Sequence, residues 1–141
     1  MDKKQSFKKV ETLKSKKDFE KIIAEGKSMN AYPLKLIYVK TAVEPGQGKL
    51  VKVAVSVPKK RVKFAVNRNR IKRLFREVYR INKQLLFNYA VENKIAFNLL
   101  FVFTGKETEA DFNTFTTKII LLLQRLQSTN ESFKRSADTS A

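Results

Sequence analysis

The sequence predicts one α+β domain built on a mixed β-sheet, and three features support this. Two strands early in the chain are expected to pair antiparallel, the strand–helix–strand stretch 49–104 favours a parallel crossover, and a further helix follows it. The 141 residues suit a single domain. A hydrophobic fraction of 43%, with 11 Phe residues, is sufficient for a folded core.

The N-terminal region is predicted to contain a basic arm and a short helix. Residues 1–12 are basic and show no periodic pattern, which is typical of a flexible arm. In the helix that follows, at about 16–25, Phe19 and Ile23 fall on one face. Gly26 is suited to end this helix.

Two strands are predicted next. Residues 32–41 are rich in β-branched and aromatic side chains, and residues 49–57 alternate valine with smaller or polar side chains. The segment 44–48 between them, EPGQG, is a turn signal. The two strands are therefore expected to form an antiparallel hairpin.

The second half of the chain is predicted to be helix, strand and helix. Residues 65–91 form the longest helical pattern, 95–104 resemble a buried strand, and about 109–127 repeat apolar residues at helical spacing. Residues 128–141 are small and polar, and are predicted to be a disordered tail. Residues 13–127 then form the single domain.

The charge of the chain is unusual. Thirty Lys and Arg residues against 13 Asp and Glu residues give a net charge of +17. Such an excess repels itself in a compact state, and a polyanion, most often nucleic acid, relieves it. No apolar run is long enough to span a membrane, and no signal peptide is visible, so a cytoplasmic protein without a membrane partner is expected.

The absence of two residue types excludes whole classes of site. The chain has no Cys and no His. Disulfides and zinc sites built from those ligands are therefore excluded, and so is a histidine general acid or base.

Over half of the charge excess lies in residues 59–80. This block has one acid, Glu77, and a local excess of nine positive charges. Its cations are Lys59, Lys60, Arg61, Lys63, Arg68, Arg70, Lys72, Arg73, Arg76 and Arg80.

A helical projection separates these cations from the apolar residues. At about 100° per residue from Arg68, one arc of about 140° contains Arg68, Lys72, Arg73, Arg76, Arg80 and Lys83. The opposite arc contains Ile71, Leu74, Phe75, Val78, Ile81, Leu85 and Tyr89. Arg70 lies outside both arcs. The projection predicts a helix with one buried face and one cationic face.

The cationic face could be an ordinary solvated surface or a binding surface for nucleic acid. Solvated helix faces usually mix charge signs, whereas like charges at 68, 72, 76 and 80 destabilise the helix locally. Arginine predominates, and its planar fork grips phosphate and stacks on bases. The pattern therefore favours a nucleic-acid surface.

A second possible site is a groove beside the sheet. Phe19 and Ile23 share a helical face, and Leu34, Leu36 and Tyr38 share a strand face. Aromatic side chains near a basic surface can stack unpaired bases. The alternative is that all five belong to the core, and the pattern alone favours that alternative.

Three motifs resemble the protein subunit of bacterial ribonuclease P. Residues 68–73, RNRIKR, followed by Arg76, match the family's signature, and residues 55–60, VSVPKK, match the strand end before it. Leu13, Phe19 and Gly26 match the family's early Leu–Phe–Gly pattern. The likeness covers about 13–127.

This resemblance implies a fold and a function. The implied order is α-β-β-β-α-β-α, with a left-handed βαβ crossover, similar to ribosomal protein S5. In this family a catalytic RNA removes the 5′ leader of precursor tRNA, and the protein binds both RNAs. The resemblance also implies that the protein has no catalytic residue and no metal ligand of its own, that the RNA mainly holds the magnesium, and that no protein partner is obligatory.

The resemblance also implies two sets of binding residues. Contacts to RNA would come from Lys59, Lys60, Arg68, Asn69, Arg70, Lys72, Arg73, Arg76 and Arg80. The cleft for the leader would be lined by Phe19, Ile23, Leu36, Tyr38 and Ser56. Three departures are visible: Ile23 stands where the family usually has an aromatic residue, Thr12 stands before Leu13 where the family usually has Arg, and 61–64, RVKF, replaces a link that contains glycine.

Two other functions are compatible with the composition. A general RNA- or ribosome-binding protein could use the same basic helix. A stand-alone nuclease would need clustered carboxylates for its metals, and the densest group here is Glu107, Glu109 and Asp111. These acids lie near the predicted start of the last helix, where the helix dipole explains them better.

Overall fold

The structure, a computed structural model, describes residues 16–43, 46 and 50–140, with side chains described for 19–43, 46 and 50–128. The predicted arm at 1–12 lies outside these residues. The elements are α1 (Lys16–Glu25), β1 (Lys27–Ala31), β2 (Leu34–Ala42), β3 (Val51–Ser56), α2 (Ala65–Asn82), α3 (Gln84–Asn93), β4 (Ile95–Phe103) and α4 (Phe112–Ser140). A short 3-10 turn, Glu107–Glu109, precedes α4.

The four strands form one mixed sheet in the order β1-β2-β4-β3. β2 is antiparallel to both β1 and β4, and β3 is parallel to β4. The predicted α+β class and the parallel crossover between β3 and β4 are confirmed. The handedness implied for this crossover stays a prediction.

The predicted hairpin between the second and third strands is wrong, because β4 lies between them. β4 is buried along its whole length on one face and is half-buried along most of the other, which suits a central strand. In the register of the sheet, Phe101 of β4 lies between Leu36 of β2 and Val55 of β3. β4 thus joins two strands that do not touch each other along the sheet.

β1 was missed by the sequence prediction. Its five residues, KSMNA, are mostly exposed and polar, which suits a short edge strand and gives no hydrophobic alternation. The predicted strand 32–41 in fact begins at Leu34, after a turn through Tyr32 and Pro33. With β1 added, three strands precede α2, as the resemblance implied.

The helix predicted at 65–91 is divided at Lys83. The backbone N–H groups of Leu86 and Phe87 both donate to the carbonyl of Lys83, at 3.1 and 3.0 Å, so a new helix starts there. Just before the break, the side-chain amide of Asn82 donates to the carbonyl of Val78 at 2.9 Å. α3 then ends at Lys94, which adopts a left-handed conformation with φ of 55°.

α4 runs to Ser140, so the helix end predicted at about 127 is wrong. Residues 128–140 contain neither Gly nor Pro, and nothing in them forces the helix to stop. Because 1–12 and the side chains of 129–141 lie outside the described residues, the division into arm, domain and tail stays a prediction.

The two faces of the sheet are covered unequally. The main core lies between one face and α2, α3 and α4, and its largest buried side chains include Phe75, Phe97, Phe101, Phe103 and Phe115. The other face is covered by α1, whose Ile22 packs on Val39 in a small separate cluster. The ten residues of α1 leave part of this second face half-exposed.

Candidate nucleic-acid interface

The loop that joins β3 to α2 is held by its own backbone and by Arg68. The N–H groups of Arg61 and Val62 donate to the carbonyl of Pro58, at 3.0 and 3.1 Å, and the Val62 side chain is buried. Nη1 of Arg68 donates to the carbonyls of Val62 and Lys63, at 3.0 and 2.8 Å. The cationic side chains of this fixed loop are exposed: Lys59, Lys60, Arg61 and Lys63.

These bonds give Arg68 a structural role beside its predicted RNA contact. We expect Arg68→Ala to lower the free energy of unfolding by about 1 kcal/mol, because two partly exposed carbonyls lose a charged donor. Urea unfolding of the variant and of Arg70→Ala measures this effect. Arg70 has no such bond within the described residues, so its variant should match wild type, and equal losses in both would contradict the assignment.

α2 buries one face and leaves arginines on the other. Ile71, Phe75, Val78 and Tyr79 are buried, and the rings of Phe75 and Tyr79 stack with centroids 6.0 Å apart. Exposed on α2 are Asn69, Arg70, Arg73 and Arg76, while Arg68, Lys72 and Arg80 are half-buried.

The buried face is rotated from the one that the projection predicted. Tyr79 falls in the predicted cationic arc but is buried against Phe101 of β4, with ring centroids 6.2 Å apart. Ile81 and Leu85, predicted to be buried, are exposed. Arg70, which fell outside both arcs, lies on the exposed face. The reason is that α2 packs against both α4 and the sheet, so its buried arc faces two neighbours.

The arginines of α2 differ in their partners. Nη2 of Arg80 lies 2.6 Å from Oε2 of Glu77, and this hydrogen bond raises the pKa of Arg80 and lowers the pKa of Glu77. In the described part of the chain, Arg70, Arg73 and Arg76 have no carboxylate partner. We call these three arginines, with Lys59, Lys60, Arg61 and Lys63, the cationic surface.

The five predicted cleft residues do not come together. Leu36 has 0% exposure, and both Leu36 and Tyr38 belong to the main core. Phe19 instead packs in the small cluster on the opposite face, and Ile23 beside it is 79% exposed. The predicted grouping of Leu36 and Tyr38 with α1 is therefore wrong, since alternate residues of a strand face opposite sides of the sheet.

The strand residues that pack beneath α1 were not among the predicted cleft residues. Ile37 and Val39 of β2, Ala54 of β3 and Leu100 of β4 pack beneath α1. Ser56 follows Ala54 by two residues, so it shares this face of the sheet, and its place in the leader cleft stays a prediction. Residues 36–39 of β2 are all apolar, so in this stretch the sequence contains no alternation that could show which residues face α1.

A half-buried row continues this face beyond α1. Val102 of β4 pairs with Lys35 of β2 and with Ser56 of β3, and all three side chains are partly exposed. The row lies at the ends of β3 and β4 from which the chain enters the cationic loop and the turn before α4. It therefore places a lysine and a hydroxyl on the part of this sheet face that α1 does not cover. We call this part the open part of the α1 face.

The acids near α4 act within the local backbone. The Glu109 carboxylate accepts from Tyr32 Oη at 2.7 Å and from the Lys106 N–H at 2.6 Å. Asp111 accepts from the N–H and the hydroxyl of Thr114, at 2.9 and 2.8 Å, and so caps α4. These hydrogen bonds hold the pKa of both carboxyl groups below their usual values. Within the described residues no group of three His, Cys, Asp or Glu could hold a metal ion.

The Asp111 cap should give a pH-dependent stability. Because its pKa is lowered in the folded state, its contribution is complete above the ordinary pKa of 3.8 and is lost as pH falls through the lower folded value. We expect Asp111→Ala to lower Tm at pH 7 and the difference from wild type to shrink below about pH 4. A Tm difference that stays constant down to pH 2 would contradict this role.

No helix in the described ranges is long and apolar enough to cross a membrane. This holds for α4 as well, whose first half buries Phe115, Ile119, Leu122, Leu123 and Leu126 in the main core.

The fold matches solved ribonuclease P proteins. The protein from Thermotoga maritima superposes with a TM-score of 0.63 at 28% identity, covering 82% of this chain and 96% of that one. A Staphylococcus aureus ribonuclease P protein superposes with a TM-score of 0.62 at 19% identity, covering 82% and 94%. The architecture is therefore that of ribonuclease P proteins.

Sequence comparison agrees with the fold. The family profile described as Ribonuclease P matches residues 7–127. The ribonuclease P protein component of Porphyromonas gingivalis is 37% identical over 106 residues, which are 75% of each chain. The chain belongs to the ribonuclease P protein family.

Proposed function

We propose that the chain binds the catalytic RNA of ribonuclease P and the 5′ leader of precursor tRNA, and so assists removal of the leader. The observation that supports this most directly is the cationic surface, which combines the fixed loop at 58–64 with the exposed face of α2. Its relatives are named ribonuclease P protein components, which supports the choice of RNA partner.

The cationic surface supports binding to phosphates. Arg70, Arg73 and Arg76 are exposed and have no carboxylate partner within the described residues, so they can exchange counterions for phosphates without first breaking an ion pair. A guanidinium group also binds phosphate through two parallel hydrogen bonds. Asn69, exposed among these arginines, adds an uncharged donor and acceptor that could contact a base edge or a ribose.

The open part of the α1 face supports binding to a single strand. Ile23 and Phe19 offer apolar surface on the side of the sheet that also contains the half-buried row with Ser56 and Lys35. Aromatic and apolar contacts favour unpaired bases with little sequence preference, while a lysine attracts their phosphates. In this proposal Leu36 and Tyr38 support the sheet from its other face and do not touch the leader.

The chemistry is assigned to the RNA. Ribonuclease P cleaves a phosphodiester bond by metal-assisted hydrolysis, and in this proposal the catalytic RNA mainly holds the magnesium ions. The protein contributes binding energy and placement. Its positive charge lowers the repulsion between two RNA backbones when the leader approaches the catalytic RNA.

A reconstituted cleavage assay tests the proposal. Precursor tRNA is incubated at low magnesium concentration with the catalytic RNA, with the protein, and with both. We expect the protein to stimulate cleavage by the RNA and to cleave nothing alone. RNA binding without stimulation would favour a general RNA- or ribosome-binding protein, and cleavage by the protein alone would favour a stand-alone nuclease.

A further inference from the structure

We propose that Phe64, with Lys63 beside it, is a stacking subsite for an unpaired RNA base within the cationic surface. The inference rests on the proposed function, because it requires an RNA partner, and it extends that function to a residue outside the predicted sites. Phe64 is 61% exposed, although a Phe side chain is among the most often buried. Every charged residue from 59 to 76 is a cation.

The backbone on both sides of Phe64 is fixed. Its carbonyl accepts from the N–H groups of Asn67 and Arg68, at 3.1 and 3.0 Å, in the first turn of α2. The preceding carbonyl, that of Lys63, accepts from Nη1 of Arg68 at 2.8 Å. An exposed ring on a fixed backbone loses little conformational freedom when a ligand binds, which suits a binding contact.

The side chain of Phe64 does not stabilise the helix that it precedes. It occupies the position before α2 where Ser, Thr, Asp or Asn would cap the helix, and its side chain makes no capping hydrogen bond. The first turn of α2 contains no acidic residue either. A side chain that does not stabilise the structure around it in this way is more often explained by binding than by folding.

The surroundings of Phe64 suit a nucleotide. Nζ of Lys63 lies 5.8 Å from the centre of the Phe64 ring. A base that stacks on the open side of the ring would bring its phosphate near this ammonium group and the neighbouring cations. An apolar protein segment would instead leave these charges unpaired, so the chemistry of the patch favours RNA.

Binding measurements with three variants test the subsite. Phe64→Ala removes the ring, and Phe64→Trp retains an aromatic face. Phe112→Ala removes a control ring, 45% exposed at the start of α4, which lies outside the cationic surface. We expect Phe64→Ala to weaken binding to ribonuclease P RNA about tenfold, as loss of one stacked base does, while the other two variants bind as wild type does.

The salt dependence of binding separates stacking from charge. Phe64→Ala should leave the slope of log affinity against log salt unchanged, because stacking releases no counterion. Lys63→Met should make this negative slope shallower by about one unit. Unchanged Tm values would show that all variants remain folded. Equal affinities of Phe64→Ala and wild type, both for the catalytic RNA and for precursor tRNA in the assembled enzyme, would overturn the subsite.

The unpaired base could come from the catalytic RNA or from the leader. Binding to the catalytic RNA alone, and binding of the assembled enzyme to precursor tRNA and to leaderless tRNA, separates these sources. An effect in the first measurement assigns the base to the catalytic RNA, and an effect only with precursor tRNA assigns it to the leader. Both results support the subsite.

The same samples distinguish failure of the subsite from failure of the proposed function. If wild-type protein stimulates cleavage and Phe64→Ala equals it in every binding arm, the stacking subsite is overturned and the function stands. If wild-type protein fails to stimulate the catalytic RNA, the proposed function is overturned whatever Phe64→Ala does.

Discussion

Replacing Arg70, Arg73 and Arg76 together with Gln should weaken binding to ribonuclease P RNA about 100-fold at moderate salt. Each exposed arginine contributes about 1 kcal/mol through a charge-assisted contact to phosphate, and three such contacts sum to about two orders of magnitude. The negative slope of log affinity against log salt should become shallower by about two to three units, because fewer counterions are released. Filter binding at several salt concentrations measures both quantities.

A charge-matched variant provides the control for this prediction. Lys94→Asn, Lys106→Gln and Lys118→Gln together remove three positive charges outside the cationic surface. If net charge alone attracted the RNA, both triple variants would lose affinity equally. We expect the control to lose less than about threefold, since charges farther than a Debye length of about 8 Å from the RNA are largely screened.

Replacing Phe101 with Ala should cause a large loss of stability, about 3–5 kcal/mol in the free energy of unfolding. Phe101 is fully buried in the second half of β4, and its ring centroid lies 4.8 Å from that of Phe75 on α2. Removing the ring leaves a cavity between β4 and α2. Because a domain typically has only about 5–15 kcal/mol of stability, a substantial part is lost.

Urea unfolding checks the prediction for Phe101. The matched control is Phe112→Ala, which removes a half-exposed ring and should cost less than about 1 kcal/mol. At low temperature the part of the Phe101→Ala protein that is folded should still bind RNA, because no cation is removed. A loss below about 1 kcal/mol would contradict the central position of Phe101.

The cationic face of α2 could be predicted from the sequence because its signal is local. Charge and apolar side chains alternate with helical spacing from 68 to 80, and no distant residue is needed to detect them. The rotation of the helix about its own axis was predicted less accurately, although Ile71, Phe75 and Val78 are buried as expected. Tyr79 is buried and Ile81 is exposed because α2 meets α4 as well as the sheet, and a single-stripe projection includes only one neighbour.

The order of the strands depends on pairing between distant parts of the chain. β2 and β3 are close in sequence and separated by a turn segment, so a hairpin was the simplest prediction. β4 is the more hydrophobic partner for both and excludes direct contact between them. β1 escaped notice for the opposite reason, since a short polar edge strand has no hydrophobic pattern to detect.

The prediction of the cleft chose residues of β2 that are one position away from the residue that faces α1. Ile37 faces α1, whereas its neighbours Leu36 and Tyr38 face the main core. In a strand with one exposed face, alternation in the sequence would have decided between them. Residues 36–39 of β2 are apolar on both faces, so only the three-dimensional arrangement identifies the side that α1 covers.

The position of β4 also constrains the order in which the chain folds. β4 starts at Ile95, and it is the strand that joins β3 to the rest of the sheet. A ribosome that has released the chain only as far as α3 presents the amphipathic α2 before the strand against which Phe75 packs. We therefore expect the sheet to assemble only after about two thirds of the chain has been made, since contacts that are distant in sequence form late.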